Sequence, residues 1–392
     1  MTDSLPNKRH TSSKTSGLLM SLVVMIILLL PVSGFIGALG IDDVKRENRS
    51  AAHFPTLSTS PLDIIAFPKL FSGWWSDHMG FRQPLIDAST QITSLWLDSP
   101  DKVIAGKENW LFLYKTSIRP DLFSVFSDYC GRVPFTSKEL KHFGETLNHN
   151  WTMFKQKGID YRLILIPNKH SLYSKHFPAR IQCEAGTQRY DQLVAYLLDI
   201  PDFPLIDFKP LLQKHLDSHL WLKRDTHWNG RAVALAVDDL LEQLNAEDLV
   251  NRKTLEQAVV TSTVKSGDLI TLSRQPGKPY KDSHFQWIDS HLRQGETKIP
   301  IVIPWSKYQP LVFNNSVQAT GKLLAVHDSF FAVHDMQKLL ASLNHRAVFV
   351  RRPGHFDLSY LVPLIDAEQP DTIIQQFVER KLLWPEPGLL KN

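Results

Sequence analysis

Short apolar runs alternate with helical stretches over most of this chain, and this alternation constrains the fold more than any other feature. An amphipathic stripe from Val233 to Leu244 repeats apolar residues at helical spacing and predicts a helix that lies on a sheet. Another helix is predicted over 137–157. The runs typical of buried parallel strands are Tyr161–Pro167, Phe203–Phe208, Lys322–His327 and Arg346–Arg351. This order predicts an α/β fold with a doubly wound, mostly parallel sheet.

Between about residues 246 and 321 the alternation gives way to an irregular segment. Short runs at 284–288, 298–304 and 309–314 are typical of strands in a meander. We therefore expect a β-rich insertion before the third core strand. Insertions of this size at the edge of an α/β sheet commonly supply the walls or the lid of a substrate site.

The composition excludes several classes of protein. The chain has 392 residues, of which 43% are hydrophobic and 21% charged, so it can bury a large core and is not a disordered protein. Its net charge of +4 is small and scattered, which argues against a nucleic-acid partner. Two cysteines cannot form a zinc ribbon, and no Walker A or Gly-x-Gly-x-x-Gly motif is present to bind a nucleotide. No cofactor is predicted.

The segment Gly17–Gly40 contains no charged residue, and the basic residues Lys8, Arg9 and Lys14 precede it. As a helix it would span about 36 Å, enough to cross a hydrocarbon core of roughly 30 Å. We expect an uncleaved signal anchor with the rest of the chain on the outer side of the membrane. A cleaved signal peptide with its apolar core at Leu18–Leu30, or a buried core helix, would explain the same residues.

These features divide the chain into consecutive regions. They are a tail at 1–16, a transmembrane anchor at 17–40, a linker at 41–61, a helical region at 62–100, an α/β domain at 101–385 and a tail at 386–392. Aromatic residues in the helical region recur mostly at helical spacings, so we expect them to pack together rather than to bind a cofactor.

Cys130 and Cys183 suit an oxidising compartment outside the cytoplasm. A disulfide between them would close a loop of about 54 residues, worth about 4 kcal/mol in the chain-entropy estimate. Two buried free thiols are the alternative. Neither cysteine lies in a Cys-x-x-Cys motif, so no chemistry is assigned to them.

Asp225, His227 and Ser329 could carry chemistry together. Asp225 and His227 are two positions apart, so an extended backbone places both side chains on one face, where the carboxylate can orient the imidazole. Ser329 follows an apolar strand directly and is expected at the carboxyl edge of the sheet, where backbone N–H groups of the next helix could stabilise an oxyanion. The three residues would supply a nucleophile, a base and an orienting group.

Other uses of these residues are open at this point. Asp-x-His pairs are often structural, and a serine after a strand is often a helix N-cap. His215 and His219, four positions apart on a predicted helix, could bind a metal together with Asp225 and His227. A glycosidase would need two carboxylates that face each other, and no pattern among the 40 acidic residues marks such a pair.

Two motifs give the chain a resemblance to the SGNH-hydrolase-like O-acetyltransferases of bacterial exopolysaccharide synthesis, the AlgJ/AlgX type. Asp225–Asn229 (Asp-Thr-His-Trp-Asn) matches the family's Asp-x-His-Trp motif, and His327–Phe330 (His-Asp-Ser-Phe) resembles its x-Asp-Ser-Phe motif. The likeness covers most of residues 45–385. Supporting matches lie at Asp77–Arg82, Gly106–Phe112, Pro167–Tyr173 and Pro370–Ile374 with Glu379 and Arg380.

The resemblance implies that Ser329 is the acyl-accepting nucleophile and that His227 and Asp225 complete the catalytic triad. It implies an SGNH-like domain in the periplasm, anchored in the bacterial inner membrane, that acetylates an alginate-like exopolysaccharide. The acetyl group would come from a membrane-bound O-acyltransferase partner. Lys169 and Trp228 are predicted to contact the substrate, with a solvated lysine and a core tryptophan as the alternatives.

The chain departs from the family pattern at His327, where some branches carry glycine. This departure leaves the polymer and the acetylated hydroxyl open. The usual oxyanion glycine and asparagine are not identifiable, and Asn229, Gly321 and Asn314 are the candidates. A carbohydrate acetyl esterase with the same triad and a non-catalytic scaffold of a polysaccharide export complex are the rival functions.

Overall fold

The computed structural model describes Ser21, Met25 and residues 52–55, 61–78, 102–114, 124–179, 181, 186–273, 279–301, 308–317, 320–351 and 357–383. The chain divides into two compact units, residues 1–99 and 100–392. Apart from Ser21 and Met25, the predicted anchor at 17–40 lies outside the described residues. Within the described part of the chain, no helix has both the length and the apolar character needed to cross a membrane.

The helices and strands alternate along the second unit. The strands are β1 (Val103–Ala105), β2 (Leu111–Leu113), β3 (Asp160–Ile166), β4 (Leu205–Asp207), β5 (Val259–Val264), β6 (Tyr280–Phe285), β7 (Leu292–Gly295), β8 (Leu311–Asn315), β9 (Lys322–His327), β10 (Arg346–Arg351) and β11 (Thr372–Val378). The α-helices are α1 (Pro61–His78, in the first unit), α2 (Val125–Tyr129), α3 (Ser137–Gln156), α4 (Lys169–Tyr173), α5 (Arg189–Leu198), α6 (Phe208–Lys214), α7 (Gly230–Gln243), α8 (Arg252–Gln257), α9 (Asp268–Ser273), α10 (Ser329–Ala332), α11 (Met336–Ser342) and α12 (Val362–Glu368). Short 3₁₀ turns cover Lys107–Asn109, Ser174–His176, Leu216–Ser218, Glu247–Leu249, Ser359–Leu361 and Glu379–Leu383.

In the first unit, aromatic side chains of α1 contact one another and Phe54. The ring centroids of Phe54 and Trp74 lie 4.8 Å apart, and Phe71 lies within 6.2 Å of both Phe54 and Phe67. The predicted aromatic stripe therefore packs against itself where the structure describes it.

The central sheet has the strand order β4-β3-β11-β9-β10-β8-β7. The first five strands are parallel, and β8 and β7 add an antiparallel edge. Alternate side chains of each strand enter different buried clusters, as Ile164 and Leu165 do, with α6 and α7 over one face and α3, α5 and α12 over the other. The predicted α/β fold with a mostly parallel sheet is confirmed.

The sequence patterns do not predict β11, although this strand lies between β3 and β9 at the centre of the sheet. Its apolar run is broken by Gln375 and Gln376, which are both buried. Gln375 accepts a hydrogen bond from the hydroxyl of Tyr161 at 2.6 Å, and Gln376 accepts the N–H of Asp328 at 3.0 Å. Each amide oxygen thus has a hydrogen-bond partner, which offsets part of the cost of burying two polar side chains in the core.

The segment 246–321 is rich in strands as predicted, but these strands do not form one meander. β5 and β6 pair with each other, whereas β7 and β8 extend the central sheet. The predicted strand at 298–304 is absent over 298–301, and 302–304 lie outside the described residues. Ile299 and Ile301 are apolar because they pack on the buried cluster that contains side chains of α3. Pro300 between them has no N–H with which to pair in a strand.

Cys130, at the C-terminal end of α2, is disulfide-bonded. Cys183, the other cysteine of the chain, lies outside the described residues. The alternative of a buried free thiol is therefore wrong for Cys130.

Candidate active site

Strand β9 ends at His327 and delivers Ser329 to the carboxyl edge of the central sheet. Asp328 fixes the intervening turn because its carboxylate accepts two backbone N–H groups. One belongs to Phe330, at 2.8 Å, and the other to Val378 at the end of β11, at 2.7 Å. Asp328 is thus the N-cap of α10, and of the N–H groups at the start of this helix, which we expect near an oxyanion, that of Phe330 is already bonded.

A tight turn between Trp221 and Trp228 carries the acid and the imidazole. The two buried tryptophans form an antiparallel bridge, and the indole N–H of Trp221 donates to the carbonyl of Thr226 at 3.1 Å. The N–H of Leu222 donates to the carbonyl of His227 at 3.2 Å. These bonds fix the Asp-x-His segment by local structure, which is the rigidity that a catalytic pair requires.

The structure brings the three predicted residues into one hydrogen-bonded chain. Nδ1 of His227 lies 2.6 Å from Oδ1 of Asp225, and Nε2 lies 2.8 Å from Oγ of Ser329. A carboxylate only accepts, so Nδ1 carries the proton and the unprotonated Nε2 accepts the serine hydroxyl. The His227 and Asp225 side chains are 13% and 16% exposed, so the site is accessible from solvent.

Asp225 is held in its charged form. Burial by itself would raise its pKa, but the hydrogen bonds from the His227 side chain and from two backbone N–H groups hold that pKa well below its usual range. The backbone N–H of His227 donates to Oδ1 at 3.0 Å, and that of Asp268 donates to Oδ2 at 2.9 Å. With a fixed negative charge, Asp225 can stabilise the imidazolium that forms when His227 takes a proton.

Asp268 is a second carboxylate at this site, and no local pattern in the sequence indicates it. Its Oδ2 lies 3.8 Å from Nδ1 of His227. The carboxylate accepts the N–H of Thr226 at 2.7 Å and also its hydroxyl. Burial and the neighbouring charge of Asp225 raise the pKa of Asp268. Asp268 thus braces the turn through Thr226 rather than bonding the imidazole.

Arg380 also lies at this edge, directly after the central strand β11. Its guanidinium donates to the side chains of Asn168 and Thr226, each at 3.4 Å, and lies 5.1 Å from the ring centroid of Phe330. The Phe330 ring in turn lies 5.0 Å from the ring of His227. In the sequence, Glu379 and Arg380 belong only to the supporting matches of the family resemblance, because strand neighbours cannot be identified before the sheet order is known.

His215 and His219 do not have the geometry that the alternative metal site requires. Helix α6 ends at Lys214, and His219 has a left-handed backbone (φ 55°), so the two rings do not share a helix face. Nδ1 of His215 bonds the carbonyl of Leu211, and Nε2 of His219 lies 3.3 Å from Asp282.

Among the described residues, Asp225, His227 and Asp268 do bring ligand atoms within 4.8 Å of one another. Both nitrogens of His227 are already engaged in the hydrogen-bonded chain. Binding of a metal ion there would therefore break one of its two bonds.

The geometry does not support the substrate contacts predicted for Lys169 and Trp228. Lys169 is only 3% exposed, and its ammonium donates to the carbonyls of Leu111 at 2.9 Å and Lys223 at 3.2 Å. Burial lowers its pKa to about 7. The alternative of a solvated lysine is therefore wrong for Lys169. Trp228 is completely buried, which agrees with the core-packing alternative.

The three oxyanion candidates taken from the sequence are wrong. The side chain of Asn229 is the N-cap of α7, and its amide donates to the carbonyl of His219 at 2.6 Å. Gly321 precedes β9 and so lies at the opposite end of this strand from Ser329. Asn314 pairs with the first residue of β10, at the same end of the sheet as Gly321.

His327, the departure from the family pattern, is a neutral packing residue. It is buried, and its Nδ1 donates to the carbonyl of Asp328 at 2.6 Å while its Nε2 accepts from Gln337 at 3.0 Å. Burial lowers its pKa to about 4. Its ring lies 6.0 Å from that of Phe331, so the larger side chain fills space beneath the site.

Glu379 is a buried carboxyl next to Arg380. It accepts the N–H of Asn168 at 2.6 Å and the hydroxyl of Ser171 at 2.9 Å. Burial, together with the charge of Asp128, raises its pKa from 4.5 to about 7. Between these two pKa values the folded chain holds a proton that the unfolded chain has lost. The contribution of Glu379 to the free energy of unfolding is therefore complete below pH 4.5 and is lost as the pH rises through 7.

We expect Glu379→Gln to reduce the loss of thermal stability between pH 5 and pH 8. The amide keeps an oxygen for the Asn168 N–H without a charge. At pH 8 the wild type should have lost about 3 kcal/mol of unfolding free energy that the variant does not lose. Thermal unfolding at both pH values measures it, with the exposed Glu256→Gln as the control. Equal pH slopes for Glu379→Gln and the wild type would show that Glu379 ionises normally.

Residues 103–285 match the family model described as SGNH hydrolase-like domain, acetyltransferase AlgX. Solved structures that match the chain include Bacillus cereus PatB1, at 12% identity over 72% of this chain and 97% of that one, with a TM-score of 0.47. The O-acetyltransferase domain of Pseudomonas putida AlgJ matches at 15% identity over 74% and 96%, with a TM-score of 0.46. Pseudomonas aeruginosa AlgX matches at 12% identity over 72% of this chain and 66% of that one, with a TM-score of 0.40. No curated protein sequence matches the chain.

The matched segment of the family model includes Asp225 and His227, and Ser329 follows downstream of it. The family resemblance predicted from the motifs is therefore confirmed over residues 103–285, which match the model of the SGNH hydrolase-like acetyltransferase domain of the AlgX type.

Proposed function

We propose that this chain is an O-acetyltransferase that carries the acetyl group as an ester on Ser329 and passes it to a hydroxyl of an exopolysaccharide. The observation that carries the proposal is the 2.8 Å contact between Nε2 of His227 and Oγ of Ser329, with Asp225 bonded to the other ring nitrogen. The match to the AlgX-type domain supports acetyl transfer as the reaction.

In the first half-reaction, His227 takes the proton of the Ser329 hydroxyl and the oxygen attacks the carbonyl of the acetyl donor. The bond between the acetyl group and its carrier breaks, and the imidazolium returns the proton to the departing oxygen of the carrier. Asp225 keeps the imidazole in the required tautomer and stabilises its positive charge throughout.

In the second half-reaction, a sugar hydroxyl takes the place of the carrier. His227 removes the proton of that hydroxyl, whose oxygen attacks the acetyl-Ser329 ester. The ester bond to Ser329 breaks, and the proton returns to the serine oxygen. The enzyme is regenerated, and the sugar leaves as its acetyl ester.

The cellular setting is also part of the proposal. The uncharged segment at 17–40 supports a single-pass anchor in the bacterial inner membrane, with the domain in the periplasm. The disulfide at Cys130 suits an oxidising compartment. Acyl-coenzyme A is a cytoplasmic donor, so we propose that a membrane-bound O-acyltransferase delivers the acetyl group. The acceptor class implied by the resemblance is an alginate-like polymer.

An acceptor-diversion experiment tests the proposal. The purified full-length protein is given an activated acetyl ester, with and without alginate oligosaccharides, and acetate and acetylated sugar are both measured. We expect acetylated sugar to appear and free acetate to fall by the same amount, because water and the sugar hydroxyl compete for one acyl-enzyme. Ser329→Ala is the control for uncatalysed transfer.

Two other outcomes would contradict the proposal. Release of acetate that no sugar acceptor diverts would identify an acetyl esterase with the same triad. Absence of turnover with every ester, in a folded protein, would favour a non-catalytic scaffold.

A further inference from the structure

A second set of contacts joins the two segments that carry the triad. The indole N–H of Trp228, the residue after His227, donates to the carbonyl of Phe330, the residue after Ser329, at 3.2 Å. In the other direction, Nε2 of His334 lies 3.0 Å from the carbonyl of Trp228. The base segment and the nucleophile segment are therefore cross-linked twice, outside the triad itself.

His334 also bonds a third segment, and this contact fixes its tautomer. The backbone N–H of Phe285, the last residue of β6, donates to Nδ1 of His334 at 3.4 Å. An N–H can only donate, so Nδ1 is unprotonated and Nε2 carries the proton that bonds the carbonyl of Trp228. Burial lowers the pKa of His334 to about 4, so the ring is neutral at physiological pH.

The backbone at His334 is in an uncommon conformation. Its φ is 57°, in the left-handed region that residues other than glycine rarely occupy. The residue lies between α10 and α11, and the N–H of Asp335 next to it donates to the carbonyl of Phe285 at 3.1 Å. A non-glycine residue keeps such a conformation only where its surroundings hold it, and here that conformation accompanies the ring's bonds to both neighbouring segments.

We propose that His334 is a positioning residue that sets the separation of Ser329 from His227. It does not touch the reacting atoms, and it acts through the carbonyl of Trp228, one residue from the imidazole. This role rests on the proposed function, because it matters only if the contact between Ser329 and His227 is the reacting pair. A small displacement of a reacting pair lowers the rate of the chemical step far more than it lowers the affinity for the substrate.

Three variants test the role by comparison with one control. His334→Phe fills the space of the ring but removes both hydrogen bonds, and we expect kcat to fall about 10- to 100-fold with little change in the acceptor KM. His334→Gln supplies one donor and one acceptor and should recover part of the loss, whereas the shorter His334→Asn should not. The control is His284→Phe, because the His284 ring lies only 5.1 Å from that of His334 and is not part of the cross-link.

The second measurement is the rate at which an arylsulfonyl fluoride modifies Ser329, which needs no sugar acceptor. We expect this rate to fall in parallel with kcat in His334→Phe and to stay at the wild-type level in His284→Phe. If His334→Phe does not fold, the test is the comparison of His334→Gln with His334→Asn, in which only the glutamine variant should keep part of the wild-type Ser329 reactivity.

Equal reactivity of Ser329 in the wild type and in the His334 variants would overturn the positioning role and leave the proposed function intact. Equal losses in His334→Phe and His284→Phe would also overturn it, since they would indicate general packing. A wild-type Ser329 that does not react would instead overturn the proposed function and the positioning role with it.

Discussion

Replacement of Ser329 by alanine is expected to lower acetyl transfer on the order of 10³-fold or more. The change removes the atom that would attack the acetyl carbonyl, so no acetyl-enzyme can form. The residual rate would come from binding alone. The fold should be unaffected, because the hydrogen bonds of Asp328 hold the turn. Among the described residues, the lost hydroxyl bonds only Nε2 of His227.

The assay measures acetylated sugar formed by the full-length protein, together with its thermal unfolding. Ser290→Ala, in the exposed part of the β-rich segment, is the matched control and should keep full activity. An unchanged rate in a folded Ser329→Ala protein would remove the serine mechanism altogether. An unchanged acetyl content of the secreted polymer in cells would favour the scaffold function.

Asp225→Asn is expected to lower kcat about 10³- to 10⁴-fold while the protein stays folded. The asparagine side chain can turn its NH₂ toward Nδ1 of His227, which then becomes the acceptor. The proton of the neutral ring moves to Nε2, and Nε2 can no longer accept the proton of Ser329. The charge that would stabilise the imidazolium is lost at the same time.

Asp268→Asn is the sharpest control for this prediction. Its carboxylate lies 3.8 Å from the same nitrogen that Asp225 approaches to 2.6 Å, but its hydrogen bonds go to Thr226. We therefore expect a much smaller loss of kcat in Asp268→Asn than in Asp225→Asn. Equal losses, or a larger loss in Asp268→Asn, would show that Asp225 is not the residue that orients His227.

Much of the sheet could be predicted because its strands are apolar and end in recognisable turns. Strands β9 and β10 have the predicted bounds. Helix α3 begins with a capping box between Thr136 and Glu139, which the local sequence encodes. The central strand β11 escaped because Gln375 and Gln376 break its apolar run. Their partners come from distant parts of the chain, such as Tyr161 and Asp328, and no local pattern reveals those partners.

The site was predictable where its residues share a short motif, and not where it depends on the sheet order. Asp225 and His227 are two positions apart, and Ser329 follows an apolar strand, so each gives a local signal. Asp268 and Arg380 give none, because only the folded chain brings them to the turn at Thr226. The burial of Lys169 has no local signal either, since its two carbonyl partners lie more than 50 positions away in the sequence.

The most direct test of the central claim is to locate the acetyl group on the protein. The full-length chain is treated with an activated acetyl ester without a sugar acceptor, quenched in acid, and its peptides are analysed by mass spectrometry. We predict a single acetyl group on the peptide that contains Ser329, absent from Ser329→Ala and lost when alginate oligosaccharides are added. Acetyl transfer to sugar that proceeds with Ser329 unmodified, or with the acetyl group on another residue, would contradict the account.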